Sequence, residues 1–180
     1  RRALAQTGHE VVVTRDPGIC ATAHGLVVPG VGAFAACMAQ LRSVGGDEII
    51  LERVARNAPI LGICVGMQIL FERGLEKEST QGLGILTGDV TELEAPILPH
   101  IGWNEVETHE DSRLFRGIAH ERFYFVHSYA AQSAVIGANV TRTHYGSSFI
   151  SAIESESVMA TQFHPEKSGR AGLALLTNWV

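Results

Sequence analysis

The residues best suited to chemistry lie in one short stretch, where a cysteine stands between two glycines. Gly62, Cys64 and Gly66 form a G-x-C-x-G pattern between an apolar run typical of a buried strand and a second run typical of a helix. A nucleophile at such a turn is a nucleophile elbow, and the glycines let the backbone turn without Cβ clashes. A thiol at a helix N-terminus also has a larger thiolate fraction. The pattern predicts that Cys64 is a nucleophile and that the Val65 amide can donate to an oxyanion.

A cysteine nucleophile needs a base, and the base needs a group that orients it. His164 follows a predicted strand, 160–163, so we expect its ring at the carboxyl edge of the sheet, where the elbow also opens. Glu166 lies two residues further on, and Pro165 fixes the backbone between them. The alternatives are a buried structural thiol and an exposed loop pair. The combination favours a Cys-His-Glu triad, in which Glu166 holds the tautomer of His164.

Composition sets broad limits on fold and function. The chain has 180 residues, of which 46% are hydrophobic and 18% charged, so we expect a single globular domain over residues 1–180. The net charge is −5 without a basic cluster, and no apolar run reaches the roughly 20 residues of a membrane span, so neither nucleic acid nor membrane is expected as a partner. We also expect no metal and no cofactor. Three cysteines, Cys20, Cys37 and Cys64, favour a reducing cytoplasmic compartment.

The first half of the chain alternates between strand and helix signals. This pattern predicts an α/β fold with a mostly parallel central sheet flanked by helices. The β-branched run Val11–Val13 is typical of a buried parallel strand, and 15–23 is predicted to be a connection. The other predicted elements are a helix over 1–6, a strand over 25–28, helices over 33–41 and 47–57, and the elbow strand with a helix that continues through Phe71.

After Gly74 the pattern changes to short strands separated by turns. These predict an antiparallel meander appended to the central sheet, followed by a final helix over 168–179. The predicted strands cover 82–93, 101–108, 122–129, 137–143, 148–155 and 158–163. Because the chain opens within a helix that feeds a strand, we expect that a first βα unit is missing from the sequence.

Two motifs together are specific for a known family. The G-x-C-x-G-x-Q pattern at Gly62–Gln68, with Phe163–Glu166 (F-H-P-E) far downstream, resembles the signature of class I (triad) glutamine amidotransferases. Three further stretches, 26–34, 99–104 and 124–129, resemble the glutaminase subunits of imidazole glycerol phosphate synthases. The resemblance spans residues 8–180. It departs at the front, because the family's opening strand and its Asp-Tyr-Gly-x-Gly-Asn loop have no counterpart here.

The resemblance implies hydrolysis of glutamine to glutamate and ammonia through a thioester on the nucleophilic cysteine. It assigns Cys64, His164 and Glu166 to the triad. It implies an oxyanion hole formed by the Val65 amide and by an amide of the Gly30–Gly32 stretch, that is Gly30, Val31 and Gly32. The residues that it implies for the amino-acid end of glutamine are Gly32, Gln68, Ser128 and Tyr129.

The resemblance also implies a partner. In the family, ammonia passes through an internal channel to a (β/α)8-barrel cyclase subunit that works in histidine biosynthesis, so we expect a heterodimer. The residues that match family positions at the partner face are Trp103, Asn104, Tyr124 and Lys167. For His127, which lies in one of the matching stretches, we expect a structural role.

Three alternatives stay open at this point. The chain could be the glutaminase component of another class I amidotransferase, although the 29–34 and 100–104 stretches argue against it. It could be a cysteine hydrolase of the α/β-hydrolase type, but that class places its acid before its histidine, and Glu166 follows His164. It could also be an inactive regulatory homologue, which an intact Cys64, His164 and Glu166 argue against.

Overall fold

The computed structural model describes residues 1–133 and 135–180. The strands are β1 (Leu26–Gly30), β2 (Ile60–Cys64), β3 (Phe71–Gly74), β4 (Thr80–Gln81), β5 (Leu86–Glu92), β6 (His100–Glu105), β7 (Arg122–His127), β8 (Tyr129–Ala131), β9 (Asn139–Tyr145), β10 (Ser147–Glu154) and β11 (Val158–Thr161). The helices are α1 (Arg2–Ala5), α2 (Pro17–Thr22), α3 (Phe34–Ser43), α4 (Gly46–Ala55), α5 (Val65–Gln68) and α6 (Gly169–Trp179), with a 3-10 turn at Pro165–Lys167. None of the helices in these two ranges is long and apolar enough to cross a membrane.

The central sheet has five strands in the order β1-β2-β11-β10-β9. Strands β1, β2 and β11 are parallel, whereas β10 and β9 run antiparallel to their neighbours. Gly30 pairs with Cys64, and Ile63 pairs with Thr161. Because three parallel strands end together, the segments after Gly30, Cys64 and Thr161 meet at one edge of the sheet. The predicted α/β class, with a parallel core and added antiparallel strands, is confirmed.

Two smaller sheets complete the fold. Strands β4, β3, β5 and β8 form one sheet, in which β3 and β5 are parallel rather than part of a meander. Strands β6 and β7 form a separate antiparallel ribbon over 100–105 and 122–127. Phe163 anchors the segment after β11 to this ribbon, since its ring stacks on Phe123 at 4.4 Å and contacts Phe125 edge-on at 5.5 Å. The residue before His164 is therefore fixed by core packing.

The predicted strand at Val11–Val13 is wrong. Residues 10–16 adopt no regular structure, and the side chains of Val12 and Val13 are 57% and 78% exposed. A β-branched run favours a strand only where a neighbouring strand supplies hydrogen bonds and cover. Among the described residues, β1 pairs only with β2, and the Val11–Val13 segment does not reach its other edge.

Two helix boundaries also differ from the predictions. The predicted connection 15–23 contains helix α2, which Asp16 caps by accepting a hydrogen bond from the Ile19 amide at 2.9 Å, with Pro17 as its first residue. The helix after the elbow ends at Gln68 instead of Phe71. The carbonyls of 69–71 accept hydrogen bonds from the amides of 83–86, which replaces the helical pattern and starts β3. The elbow is therefore followed by a single helical turn.

Arg53 on α4 joins the segments that lead into β1 and β2. Its side chain is fully buried and faces backbone carbonyls rather than a carboxylate. Five carbonyl oxygens accept hydrogen bonds from its guanidinium at 2.8–3.3 Å, those of Cys20, Ala21, Ala23, His24 and Pro59. Because His24 lies two residues before β1 and Pro59 directly precedes β2, Arg53 helps to set the relative position of these two strands.

We predict that Arg53→Met lowers the free energy of unfolding by roughly 2–4 kcal/mol, because buried carbonyls lose their donor. Arg56→Met is the matched control on the same helix. Arg56 is exposed and makes one hydrogen bond to Ala21 and a 3.7 Å ion pair with Glu52, so its loss costs less than about 1 kcal/mol. Urea unfolding of both variants measures the difference. Equal stability of the two variants would contradict the role of Arg53.

Candidate active site

Cys64 lies at a strained turn between β2 and α5. Its backbone has φ +56° and ψ −115°, a conformation that side chains other than glycine rarely adopt. Every residue of β2 is buried, so the strand is held on both faces and can maintain this conformation, which costs about 1–3 kcal/mol. The first amides of α5 have no intrahelical partner. The turn therefore brings the Cys64 thiol next to free backbone donors.

The glycines around the turn permit a close approach of two backbones. A Cβ on Gly66 would overlap the carbonyl oxygen of Val28, and a Cβ on Gly30 would overlap the amide of Gly66. A Cβ on Gly62 would lie 2.8 Å from the Gly66 carbonyl oxygen. No side chain fits in these positions, so strand β1 and the elbow are in direct backbone contact. The G-x-C-x-G spacing is thus a packing requirement as well as a turn signal.

His164 and Glu166 form a hydrogen-bonded pair beside Cys64. The Nδ1 atom of His164 lies 2.7 Å from Oε1 of Glu166, and the imidazole is buried. Burial alone would lower the pKa of His164, but its hydrogen bonds with Cys64 and Glu166 outweigh burial and raise that pKa to about 9. Burial likewise opposes ionisation of Glu166, yet the hydrogen bond from His164 lowers its pKa overall. At neutral pH the imidazole is therefore protonated and the carboxylate ionised.

The backbone around His164 is fixed by Ser168. The Ser168 hydroxyl donates to the His164 carbonyl oxygen at 2.7 Å and accepts from the Tyr124 amide at 3.0 Å. The His164 amide in turn donates to the Tyr124 carbonyl oxygen at 2.9 Å. The two bonds to Tyr124 join the segment around the 3-10 turn to β7, and the third closes that segment on itself. The position of the imidazole therefore depends on the ribbon formed by β6 and β7.

The predicted oxyanion stretch begins where β1 ends. Gly30 is paired with Cys64, so Val31 and Gly32 extend past the thiol at the same sheet edge. Val31 is 77% exposed, and Gly32 has φ +85°. The Cys37 thiol donates to the Val31 carbonyl oxygen at 3.2 Å, and burial raises the pKa of Cys37, which keeps this thiol protonated. The stretch is thus near the nucleophile, open to solvent and anchored at one carbonyl.

The residues predicted to bind the amino-acid end of the substrate lie around the start of β8. Gln68 is buried, and its Nε2 atom donates to the Tyr129 carbonyl oxygen at 2.8 Å. Ser128 and Tyr129 are half-buried, and the Ser128 carbonyl oxygen accepts from the Leu93 amide at 2.9 Å. The structure therefore brings Gln68 and the Ser128–Tyr129 pair together, while Gly32 lies on the oxyanion stretch.

Two residues at this site escaped the sequence analysis. Gln162 is fully buried on the segment after β11, and its Nε2 atom lies 3.8 Å from the Cys64 Sγ. A glutamine within an otherwise apolar strand was the available signal. Glu76 lies after β3 and accepts the Phe34 amide at 3.0 Å, which caps α3 next to Gly32. Its sequence context is a polar loop, so no local pattern separates Glu76 from solvated charges.

The residues predicted to face a partner divide between two surfaces. Trp103 and Tyr124 are cross-strand neighbours on β6 and β7, with ring centroids 6.1 Å apart, and Lys167 Nζ lies 5.8 Å from the centre of the Tyr124 ring. On the same face, Ile101 and Trp103 are 59% and 50% exposed. Asn104 points to the opposite face of the ribbon, where its Nδ2 donates to the His144 carbonyl oxygen at 3.0 Å.

The two buried histidines of the ribbon belong to its core. The ring centroids of His100 and His127 lie 5.3 Å apart, and both rings pack among Phe125, Tyr145 and Phe149. Burial lowers the pKa of His100 to about 4 and that of His127 to about 3, so both rings are neutral at pH 7. Within the ranges 1–133 and 135–180, no cluster of three or more metal-ligating side chains occurs.

Comparison with known proteins relates the chain to one protein family. The model of the family described as "Glutamine amidotransferase class-I" matches residues 1–180. The chain is 55% identical to the imidazole glycerol phosphate synthase subunit HisH of Mycolicibacterium paratuberculosis, over 100% of this chain and 89% of that protein. It is 52% identical to the protein of the same description from Streptomyces avermitilis, over 99% and 88% of the two chains.

Solved structures show the same fold at low sequence identity. A crystal structure described as a glutamine amidotransferase superposes with a TM-score of 0.77 at 20% identity, covering 99% of this chain and 92% of that one. The glutaminase domain of Trypanosoma brucei CTPS, with bound acivicin, gives a TM-score of 0.67 at 16% identity, covering 99% and 83%. With a full-length family match and relatives above half identity, the chain belongs to the class-I glutamine amidotransferase family.

Proposed function

We propose that this chain is the glutaminase subunit of an imidazole glycerol phosphate synthase, which hydrolyses glutamine and supplies ammonia for histidine biosynthesis. The observation that carries the proposal is the meeting of the Cys64 turn with the His164–Glu166 pair at one edge of the sheet. The identity of 50–55% to proteins described as subunit HisH selects this member of the family. The free thiol of Cys64 suits a reducing compartment, and we expect the protein in the cytoplasm.

In the proposed reaction, the Cys64 thiolate attacks the side-chain carboxamide carbon of glutamine. With a pKa of about 9, His164 is protonated at neutral pH and places a cation beside the attacking sulfur. His164 then protonates the amide nitrogen of the tetrahedral intermediate, the C–N bond breaks, and ammonia leaves a thioester behind. The neutral imidazole afterwards removes a proton from the water molecule that attacks the thioester. Glu166 stabilises the imidazolium through the 2.7 Å hydrogen bond at Nδ1, which leaves Nε2 directed to the reaction.

The oxyanion of the tetrahedral intermediate is stabilised by backbone amides on both sides of the thiol. Val65 offers the first amide of α5, and the stretch Gly30, Val31 and Gly32 offers the second from the paired strand. Exposure of Val31 and the positive φ of Gly32 leave this stretch free to reorient its peptides. We infer that the second donor is completed only in the activated complex.

The amino-acid end of glutamine carries one positive and one negative charge. Both N–H groups of Gln68 are used within the protein, by Tyr129 and Gln162, so its Oε1 is the atom available to accept from the substrate ammonium. Glu76 adds a carboxylate near Gly32, and its charge also contributes to the raised pKa of Tyr129, which burial raises most. We assign the ammonium to Gln68 and Glu76. The substrate carboxylate then faces Ser128 and Tyr129.

The exposed apolar face of the β6–β7 ribbon suits a protein partner. It carries Ile101, Trp103 and Tyr124, and Lys167 adds a cation beside it. Aromatic side chains such as Trp103 and Tyr124 are enriched at interfaces. Because Lys167 directly follows Glu166 in the 3-10 turn, a partner bound here contacts the same segment that orients the imidazole. We propose that the partner is the (β/α)8-barrel cyclase subunit and that ammonia passes to it.

The triad assignment predicts unequal losses. His164→Ala removes the acid/base, whereas Glu166→Ala removes only the group that orients it, so we expect the first substitution to lower kcat roughly ten- to a hundredfold more than the second. Glu166→Ala also removes one partner that raises the pKa of His164 above 6.5. The alkaline limb of its pH–rate profile should therefore move to lower pH. Steady-state kinetics of the full native chain with its partner measures both effects, and equal losses in kcat would refute the division of roles.

The partner assignment predicts coupling. We expect weak glutaminase activity from the full native chain alone and a rise of roughly a hundredfold on addition of the barrel subunit and its nucleotide ligand. That factor corresponds to only about 2.7 kcal/mol, within reach of one peptide reorientation together with interface contacts. The measurement is glutamine turnover with and without each addition.

Matched variants locate this coupling on the chain. Trp103→Ala removes an exposed ring from the ribbon and should weaken stimulation by the barrel subunit. Leu51→Ala removes a side chain of similar exposure, 46%, from α4 and should leave stimulation unchanged. Full turnover by the isolated chain, unaffected by partner or ligand, would refute the coupling and leave the triad assignment intact.

A further inference from the structure

Gln162 lies between the predicted nucleophile and the predicted substrate-binding strand. Its side chain is fully buried, one residue before Phe163. Its Oε1 atom accepts a hydrogen bond from Nε2 of Gln68 at 3.0 Å, and its Nε2 atom lies 3.8 Å from Sγ of Cys64, within hydrogen-bonding reach of sulfur. Its backbone amide donates to the Ser151 carbonyl oxygen at 2.9 Å.

The Tyr129 carbonyl oxygen fixes which group donates and which accepts in each hydrogen bond between Tyr129 and Cys64. The Tyr129 carbonyl oxygen can only accept, so both groups that contact it, His127 Nδ1 at 3.0 Å and Gln68 Nε2 at 2.8 Å, must donate. Gln68 therefore presents its amino group, and its second N–H is directed to Gln162. Gln162 must answer with its carbonyl oxygen, which leaves its own amino group facing Cys64. The thiol consequently faces a donor whose orientation is fixed by Gln68 and, through it, by the Tyr129 carbonyl oxygen.

We propose that Gln162 stabilises the Cys64 thiolate by donating a hydrogen bond to its sulfur, with Gln68 and the Tyr129 carbonyl holding the amide in the required orientation. The proposal rests on the proposed function, in which Cys64 is the nucleophile. A hydrogen bond to a charged acceptor favours the ionised form of that acceptor. The Gln162 donor and the protonated imidazole of His164 therefore both favour the thiolate form of Cys64. Gln162 is thus a further residue of the reaction, in contact with the reacting sulfur.

A purely structural role accounts less well for a glutamine at this position. Burying a side-chain amide costs free energy unless its polar groups are hydrogen-bonded. The neighbouring residues of β11 and Phe163 have apolar side chains, apart from Thr161, whose hydroxyl is hydrogen-bonded within the same segment. Thr161 is also fully buried, and its hydroxyl donates to the Phe163 carbonyl oxygen at 3.0 Å. Among residues 1–133 and 135–180, no side-chain hydrogen bond joins Thr161 to Cys64. Thr161→Val therefore removes a buried polar group from the same segment without touching Cys64, and it serves as the matched control.

The test compares alkylation of Cys64 in the full native chain, Gln162→Met, Gln162→Asn and Thr161→Val. Met fills a volume similar to that of Gln but has no hydrogen-bond donor. Asn keeps the amide on a side chain that is one methylene shorter, so the amide lies further from Cys64. Iodoacetamide is the probe, and peptide mass spectrometry follows the Cys64 adduct across the pH range. We expect the rate at pH 7 to fall about three- to tenfold in Gln162→Met, less in Gln162→Asn, and not in Thr161→Val.

The pH profile and the steady-state constants separate this role from a structural one. The acid limb of the alkylation profile should move up by about 0.5–1 pH unit in Gln162→Met, because the thiolate has lost a donor. With the barrel partner present, kcat should fall while KM changes less than about twofold. Alkylation rates, acid limb and kcat equal to those of the native chain in either Gln162 variant would overturn the proposal. Failure of the native Cys64 to react would instead overturn the proposed function.

Discussion

The site depends on a contact between two backbones with no side chain between them. Gly66 lies against the Val28 carbonyl and Gly30 against the Gly66 amide, so strand β1 and the first turn of α5 approach as closely as backbone atoms allow. This contact holds the Cys64 turn against the start of the oxyanion stretch, because Gly30 is also the register partner of Cys64. Any larger residue at these positions would push strand β1 and the Cys64 turn apart. Arg53 supports this contact at the other end of the two strands, where it joins the segments that lead into β1 and β2.

The two histidines near the site, His164 and His127, differ in charge at neutral pH. On the charged side, His164 keeps its proton because Cys64 and Glu166 outweigh the cost of its burial. On the neutral side, burial removes the charge of His127, whose Nδ1 supports the Tyr129 carbonyl as an uncharged donor. A charge on His127 would repel the imidazolium of His164 and oppose its protonation. Burial in the aromatic core of the ribbon keeps His127 neutral and so removes this repulsion.

Local sequence patterns predicted the parts of the site that are local. The elbow at Cys64 and the segment beginning at His164 follow from glycine spacing and from a strand followed by Pro165, and both lie where parallel strands end. The prediction of a strand at Val11–Val13 is wrong because a β-branched run records only a preference, whereas a strand also requires a partner edge. The contact of Gln162 with Cys64 joins residues 98 positions apart, and no pattern within either segment contains it. Glu76 was missed for the same reason.

We propose that the turn at Cys64 and the His164–Glu166 pair together make one thiol the nucleophile of the protein. The most direct measurement uses an electrophilic chloroketone analogue of glutamine on the full native chain with its barrel partner, with the site of the adduct identified by peptide mass spectrometry. We expect one adduct per chain, on Cys64, formed in parallel with loss of glutaminase activity, while Cys20 and Cys37 stay unmodified. Modification of Cys20 or Cys37 at the same rate as Cys64, or loss of activity with Cys64 unmodified, would contradict it.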